Sequence, residues 1–420
     1  MSVSHVLSSL GVPQGAASDG TVHTPINLHN PAQLKDLVDA GLPPEHRAQH
    51  AAALLDGITA PAGQPGVALV HRLIGHVVGN DELSDEDQAQ LAQASPITAH
   101  VTAQPPAAAP MQVNDVWDVS TPDGSLKVID LPNGLELQDG GCIVARATPL
   151  QFSCSSLTRT GAPPAGYSGD FNILGKPGAP VATPPPLPGL GQAQNGAPGE
   201  CMSAGIPGRG GENGANGQQG TAGTAGLPGS AGVASAIATV IITASLTLTG
   251  AAKQQLVVAT QSGPGGQGGN GGQGGPGQQG GNGGNGAVCN CTGNGGGSAG
   301  AGGQGGTGGR AGDGGNGIDA AGNIAVYVPA GVRTSVVQAV VIAAPPGQPG
   351  TPGPGGGHGA PGNPGAGGKN SIAGAPGGVG PGGETGAPGN PGTHAGAPAR
   401  VTVFNYTAAT GSHQTSRGIG

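Results

Sequence analysis

The chain has 420 residues, of which 90 are Gly and 40 are Pro, while aromatic residues make up 2% and charged residues 9%. So few large apolar side chains exclude one large globular core of the kind ordinary enzyme folds need, because their burial offsets backbone ordering. A basic surface or stacking aromatics is also missing, so a nucleic-acid binder is excluded as well. The net charge of −8 is local: residues 1–100 hold 3 Lys/Arg against 10 Asp/Glu, and the other 320 hold 11 against 12.

Met1 to Gly20 has neither the basic region nor the apolar run of a secretory signal. Residues 1–95 are expected to form a small acidic helical domain. Asn30 before Pro31 predicts an N-terminus, with Leu34, Leu37 and Val38 on one face and Gly41 as the stop. A second helix is predicted from Pro44 through Leu54 and Leu55, a third over Val67 to Val78, and a fourth behind Ser84 and Asp87. His46 and His50 are four apart on the second helix, a metal-binding spacing without a third ligand, so they are read as solvent-facing. Asp81, Glu82, Asp85, Glu86 and Asp87 lack the spacing and Gly of an EF-hand and read as an acidic helix start.

Residues 96–112 are Ala/Pro-rich and read as a linker. From 113 to 160 the pattern changes to period two, with short strands predicted at Ser125–Leu131, Leu135–Gln138, Cys142–Ala147 and Leu150–Ser155. Val233 to Ala252 is long enough for a membrane span, but its Thr and Ser residues and its alternation read as strand.

The body, 161–398, carries the strongest signal. Between Gly347 and Gly392, 15 of 16 every-third positions are Gly, Ser371 being the exception, and the same lock runs over 205–232, 265–286 and 297–315. Three residues per turn is the polyproline II period, and only Gly fits where such helices pack closely. The lock is broken alternately by short polar segments at 200–204, 287–296 and 369–373 and by apolar inserts at 233–262 and 318–344, with a last strand near Val401–Tyr406 and a tail in 399–420. The expected unit is a β-hairpin followed by an out-and-back glycine pair, present three times, each run about 68 Å long. The expected fold class is thus mostly irregular by three-state count: a polyglycine/polyproline-II helix bundle within one chain, with β-hairpin inserts and a small α-helical N-terminal domain. The pair 265–286 and 297–315, often Gly at two of three positions, is expected at its centre. Disorder is the competing reading of such a composition, opposed by the phase lock and the apolar inserts.

The phased glycines from Gly205 to Gly392 resemble the glycine-rich bundles of the snow-flea antifreeze protein and of the tail-fibre tip adhesins of T-even-like bacteriophages, and also look like bacterial collagen-like surface proteins. The resemblance implies a rigid scaffold with contact residues on its loops.

Motif matches within the body are cheap. Gly296 to Gly300 spells a G-x-S-x-G elbow without strand–turn–helix context, and Gly368-Lys369-Asn370 is no Walker A end. No catalytic residue, cofactor or metal is expected. If the runs go out and back, the polar breaks share one tip. That brings Cys201 near Cys289 and Cys291 and allows a bridge to either; Cys142 and Cys154 lie on neighbouring predicted strands, which allows a second one, while five reduced cysteines are the alternative. The tip also gathers Met202, Asn290, Lys369, Asn370 and Ile372, where a surface contact is expected. These readings favour a non-enzymatic structural or adhesive protein of a cell surface or extracellular assembly. A phage receptor-binding tip is the second reading and ice binding the third. Partners would be a protein or glycan receptor, with self-association through residues 1–95, and neither nucleic acid nor a membrane span.

Overall fold

In a computed structural model, the described residues are 21–29, 31–39, 42, 44–55, 76–77, 82–94, 97–105, 108–202, 208–249, 255–289 and 292–407. The predicted start at Asn30, the stop at Gly41 and nearly all of the third predicted helix lie outside them.

The regular structure is mostly β. A nine-stranded sheet runs β1 (Val22–Leu28), β2 (Ile97–Ala103), β5 (Leu126–Leu131), β8 (Leu150–Arg159), β10 (Ala238–Leu248), β14 (Ile324–Pro329) and β16 (Val401–Tyr406). Strand β6 (Leu135–Leu137) joins it beside β8, and β3 (Met111–Val113) joins beside β6. A five-stranded sheet runs β15 (Val337–Ile342), β11 (Leu256–Gln261), β9 (Phe171–Leu174), β7 (Cys142–Arg146) and β4 (Val116–Asp118). Only the β1–β2 pair is antiparallel in these two sheets; the others are parallel.

From β7 onward the chain alternates between the sheets. Their facing sides form one core in which Ile129, Phe152, Val240, Ile242 and Val326 of the larger sheet meet Ile143, Phe171, Ile173 and Val258 of the smaller. The Phe152 and Phe171 rings meet edge-on at 5.2 Å. Strand β14 is buried on both faces along its whole length, as an inner parallel strand is, and the first five residues of β8 and of β10 are buried as well. Within this sandwich Arg159 donates to Asp170 at 2.6 Å, both almost fully buried, and the second Asp170 oxygen accepts from the Val257 N–H at 2.7 Å.

Three short α-helices are present among the described residues: α1 (Pro31–Asp39), α2 (Pro44–Leu55) and α3 (Asp85–Ala94). Leu37 of α1 packs with Ile26, Val101 and Val128, and Leu54 of α2 with Ile241, Ala325 and Tyr327, so both helices serve the outer face of the large sheet. The carbonyls of Ala53 and Leu54, left open at the end of α2, accept from Asn323. His46 and His50 are therefore not solvent-facing. Both are buried, His46 stacking on Tyr406 and His50 against Tyr327. Ser84 Oγ accepts from the Asp87 N–H at 3.2 Å at the acidic start of α3.

The glycine-rich segments are neither α-helix nor β-strand. They leave the sandwich between β9 and β10, between β11 and β14, and between β15 and β16, each going out and returning. Outgoing runs 175–199, 263–286 and 345–368 bond to one another in parallel, as do returning runs 208–232, 295–316 and 373–394. Gly268 donates to Gln348 O, Gly271 to Thr351 O and Gly274 to Pro354 O, a step of three residues. Antiparallel ladders, such as Gly269 to Leu227 O and Gly312 to Gly269 O, join the two layers into a slab. The middle pair, 263–286 and 295–316, has four neighbours per run; there two residues in three donate sideways, as Gly265 does to Pro345 O and Gly266 to Ser230 O. That is why these runs need Gly at two of three positions. In 345–368 only one in three donates, and Pro349, Pro352, Pro361 and Pro364 occupy positions that donate to nothing.

The expected fold class is corrected accordingly. Among the described residues the chain is a β-sheet protein with mixed and parallel sheets and three short helices, not a polyglycine/polyproline-II helix bundle, and no collagen-like helix is formed. The inserts at 233–262 and 318–344 are not hairpins: β10 and β11, like β14 and β15, belong to opposite sheets and pair in parallel with strands far away in sequence. No repeating hairpin-plus-glycine unit therefore exists. The physical reason is that seven residues separate Leu248 from Leu256, and seven separate Pro329 from Val337, more than a tight hairpin loop holds. The segment 1–95 is likewise not all-helical, since it holds β1, and the predicted linker 96–112 holds β2, through which β1 joins the large sheet, and the start of β3. Among the described residues no helix is long and apolar enough to cross a membrane.

Candidate functional site at the slab tip

The outgoing runs end, and the returning runs begin, at the end of the slab remote from the sandwich. The first turn is closed where Arg209 donates its N–H to Glu200 O at 2.9 Å. The second is a two-stranded ribbon, β12 (Val288–Cys289) against β13 (Thr292–Gly293). The third reverses at Lys369-Asn370, with Asn370 at φ 59°, a left-handed conformation that Asn accepts more readily than most residues.

Three sets of contacts fuse these turns. Cys201 and Cys289, 88 positions apart in sequence, form a disulfide with Cα atoms 5.7 Å apart. Asn294 Nδ2 donates to Arg209 O at 3.3 Å, again tying the second turn to the first. The Ser371 hydroxyl donates to Gly293 O, and the Gly296 N–H donates to Ile372 O at 3.1 Å, tying the third turn to the second. A Cβ on Gly293 would lie 2.1 Å from the Lys369 nitrogen, so this approach needs a glycine.

On this platform stand apolar side chains that packing leaves in water. Ile372 is 84% exposed, Val288 69% and Met202 49%. Met202 and Val288 are chain neighbours of the two bridged cysteines. Lys369 and Asn370 are exposed beside them. Asn290 and Cys291, the other predicted tip residues, lie outside the described residues. Val288 belongs to the group but escapes a sequence reading, because its exposure depends on how β12 folds.

Cys142 and Cys154 are separate from the tip. They sit on β7 and β8, in opposite sheets, as free buried thiols and form no bridge. Burial pushes the Cys142 thiol up to about 11 and that of Cys154 higher still, so neither is poised as a thiolate. Ser298, centre of the G-x-S-x-G match, lies in an extended run and its hydroxyl accepts from the Ala375 N–H at 3.3 Å. Among the described residues no three His, Cys, Asp or Glu side chains gather as metal ligands.

Outward-facing amides of the slab do a job that composition does not reveal. Asn195 Oδ1 accepts from the Asn282 N–H, and Asn282 Oδ1 from that of Asn363, both at 2.8 Å. Asn213, Asn216, Asn270, Asn285 and Asn316 accept in the same way from the neighbouring run. Asp313 accepts from the Asn390 N–H at 2.7 Å, which with Arg310 holds its carboxyl below the usual range. The mark of this in the sequence is the recurrence of Asn195, Asn282 and Asn363, separated by 87 and 81 positions.

No family model and no curated protein matches the chain. A search of solved structures finds a weak, partial likeness to the nine polyproline type II helical bundle springtail antifreeze protein from Granisotoma rainieri. Its sequence identity is 24% and its TM-score 0.10, and it covers 46% of this chain and 96% of that one.

Proposed function

We propose that the protein is a non-enzymatic structural or adhesive element of a cell surface or extracellular assembly, with the slab tip making the contact. The observation that carries this reading is the placement of Met202, Val288 and Ile372, exposed apolar groups fixed on three cross-tied turns at one end of a rigid slab. Apolar side chains held in water lower free energy only when something covers them, and the fused turns reduce the ordering cost of covering them. The partner that fits is a protein or glycan surface with an apolar patch. A disulfide at the tip suits an oxidising compartment outside the cytosol.

The test is adsorption of the labelled protein to whole cells and matrix surfaces, comparing wild type with Val288→Asp/Ile372→Asp. Reduced binding by the variant, with unchanged thermal melting, supports the reading. Equal binding by both proteins overturns the tip as the contact site.

A further inference from the structure

Most free edges of this molecule are blunted against further pairing. The large sheet begins at β1, which carries Pro25, and the small sheet begins at β4, three residues long with Asp115 beside it and Asp118 within it. Three of the four outer glycine runs are rich in proline, which cannot donate to an added run. Runs 175–199 and 345–368 hold seven each and 373–394 holds four, against Pro264 and Pro276 in the inner pair 263–286 and 295–316 and Pro228 alone in the outer run 208–232. Proline, charge and short length are the usual protections of an edge.

The far end of the sandwich has none of them. There β15 and β16 close the two sheets, and neither Val337–Ile342 nor Val401–Tyr406 contains a Pro or a charged residue. The contrast with the strands beneath is sharp. Every residue of β14 is buried and no residue of β16 is; five of six are buried in β11 and only Val337 in β15. Val341 and Ile342 are 45% and 38% exposed. The Ile324 N–H donates to Arg400 O at 2.8 Å, with Ile324 in register with Val401. In a parallel ladder this turns the N–H groups of Val401, Val403 and Asn405 away from β14.

We propose that this end of the sandwich pairs with the same end of a second copy of the chain, about a two-fold axis normal to the sheets. Strand β16 then lies antiparallel to its counterpart, and β15 to its own, continuing both sheets across the interface. The occupant follows from the pairing of edges. Two open edges lie about 10 Å apart, so a single added strand covers one and leaves the other, whereas a second copy presents both at that spacing. The direction of the axis follows from the slab. An axis along the strands would set β16 against β15 and bring the proline-bearing runs 345–368 and 373–394 of the two copies side by side. The axis normal to the sheets sends the slabs in opposite directions, and the tips stay free at the two ends of the dimer.

The experiment is light scattering on the full chain across the micromolar range, combined with amide hydrogen exchange. The expected mass is twice 39.6 kDa, with slow exchange at Val401, Val403 and Asn405. Val341→Lys/Ile342→Lys alters only exposed side chains and sets like charges near the axis; it is expected to weaken the dimer by at least about tenfold with the melting of the monomer unchanged. Val403→Pro removes an outward N–H and no bond to β14, and is expected to do the same. A monomer at all concentrations overturns the proposal. So does a dimer indifferent to these substitutions, or a monomer whose protection at Val401, Val403 and Asn405 disappears when residues 408–420 are removed.

Discussion

Replacing Gly271 by Ala adds one methyl group and tests the slab more sharply than any larger change. The new Cβ would lie 2.1 Å from Gly309 O and 2.7 Å from the Gly353 nitrogen. Ordinary carbon contacts are near 3.5 Å, so the runs must part by more than an ångström. The bonds in the way are Gly271 to Thr351 O (2.9 Å), Gly309 to Gly272 O (2.8 Å) and Gly353 to Gly309 O (2.9 Å). Each contributes a net of about 1 kcal/mol when made, and more is lost when a buried partner stays unpaired. Overpacking adds roughly 1–3 kcal/mol, against a gain of about 0.4–1 kcal/mol from a stiffer unfolded chain. The expected loss is roughly 3–5 kcal/mol. Gly357→Ala is the matched control, because nothing lies within 4 Å of its Cβ; it is expected to be neutral or stabilising by up to about 1 kcal/mol. Gln273→Ala, on an exposed position, is expected within about 0.5 kcal/mol of wild type. Thermal and guanidinium unfolding followed by circular dichroism give the ranking. If Gly271→Ala melts with wild type, or Gly357→Ala falls as far, the close-packed ladder described for these runs is wrong.

Asp170→Asn leaves the Arg159 charge buried without its counter-ion and is expected to cost about 3–5 kcal/mol, read from denaturant midpoints; a loss below about 1 kcal/mol would show that water reaches the pair. Reducing Cys201–Cys289 frees a loop whose ends are 88 positions apart in sequence, which in the chain-entropy model weakens the fold by about 4 kcal/mol; an unchanged melting temperature in reductant, with thiol release confirmed by mass spectrometry, would refute that. His50 is buried against Tyr327, and desolvation pulls its pKa from 6.5 down to about 4. The unfolded chain therefore binds the proton first, so the stability is fully present above pH 6.5 and is lost as pH falls toward 4, by up to about 3 kcal/mol; the slope should vanish in His50→Leu, and a persisting slope would assign it elsewhere.

The sequence carried the slab and the sandwich in different degrees, for identifiable physical reasons. A glycine that must let a neighbouring carbonyl approach, as Gly271 does with Gly309 O, leaves a period-three mark wherever the approach recurs. The out-and-back course could be read from the polar breaks, and with it the neighbourhood of Cys201 and Cys289. Strand pairing left no such mark. The alternation in Val240–Leu248 states which side chains share a face, but nothing in it says whether the next strand is Leu256–Gln261 or, as found, Leu150–Arg159 on one side and Ile324–Pro329 on the other. His46 and His50 were misplaced for a related reason. A helix with few apolar residues reads as lightly packed, and its burial is imposed by Tyr327 and Tyr406, more than 270 residues away in sequence.

Slab and sandwich solve the same problem with opposite chemistry. In the sandwich, large side chains such as Phe152, Phe171 and Ile242 offset the ordering of the backbone, at about 1.5–3 kcal/mol each. In the slab almost nothing apolar is buried, and glycine is the costliest residue to order, so the offset has to come from hydrogen bonds packed at the density that only glycine permits. Such a lattice tolerates little beyond glycine between its runs but accepts nearly any residue on its outer faces, where Gln, Thr, Pro and Arg alternate and Asn adds bonds of its own between runs. It is poorly anchored by itself, since its runs meet through backbone and a few Asn and Asp side chains with almost no apolar burial. The three excursions are each clamped at their base by two strands of the sandwich, β9 and β10, β11 and β14, β15 and β16. At the far end they are clamped by the disulfide and the Ser371–Gly293 bond. Met202, Val288 and Ile372, which are neither core nor lattice, stand on the turns at the tip, where this construction makes no demand on them.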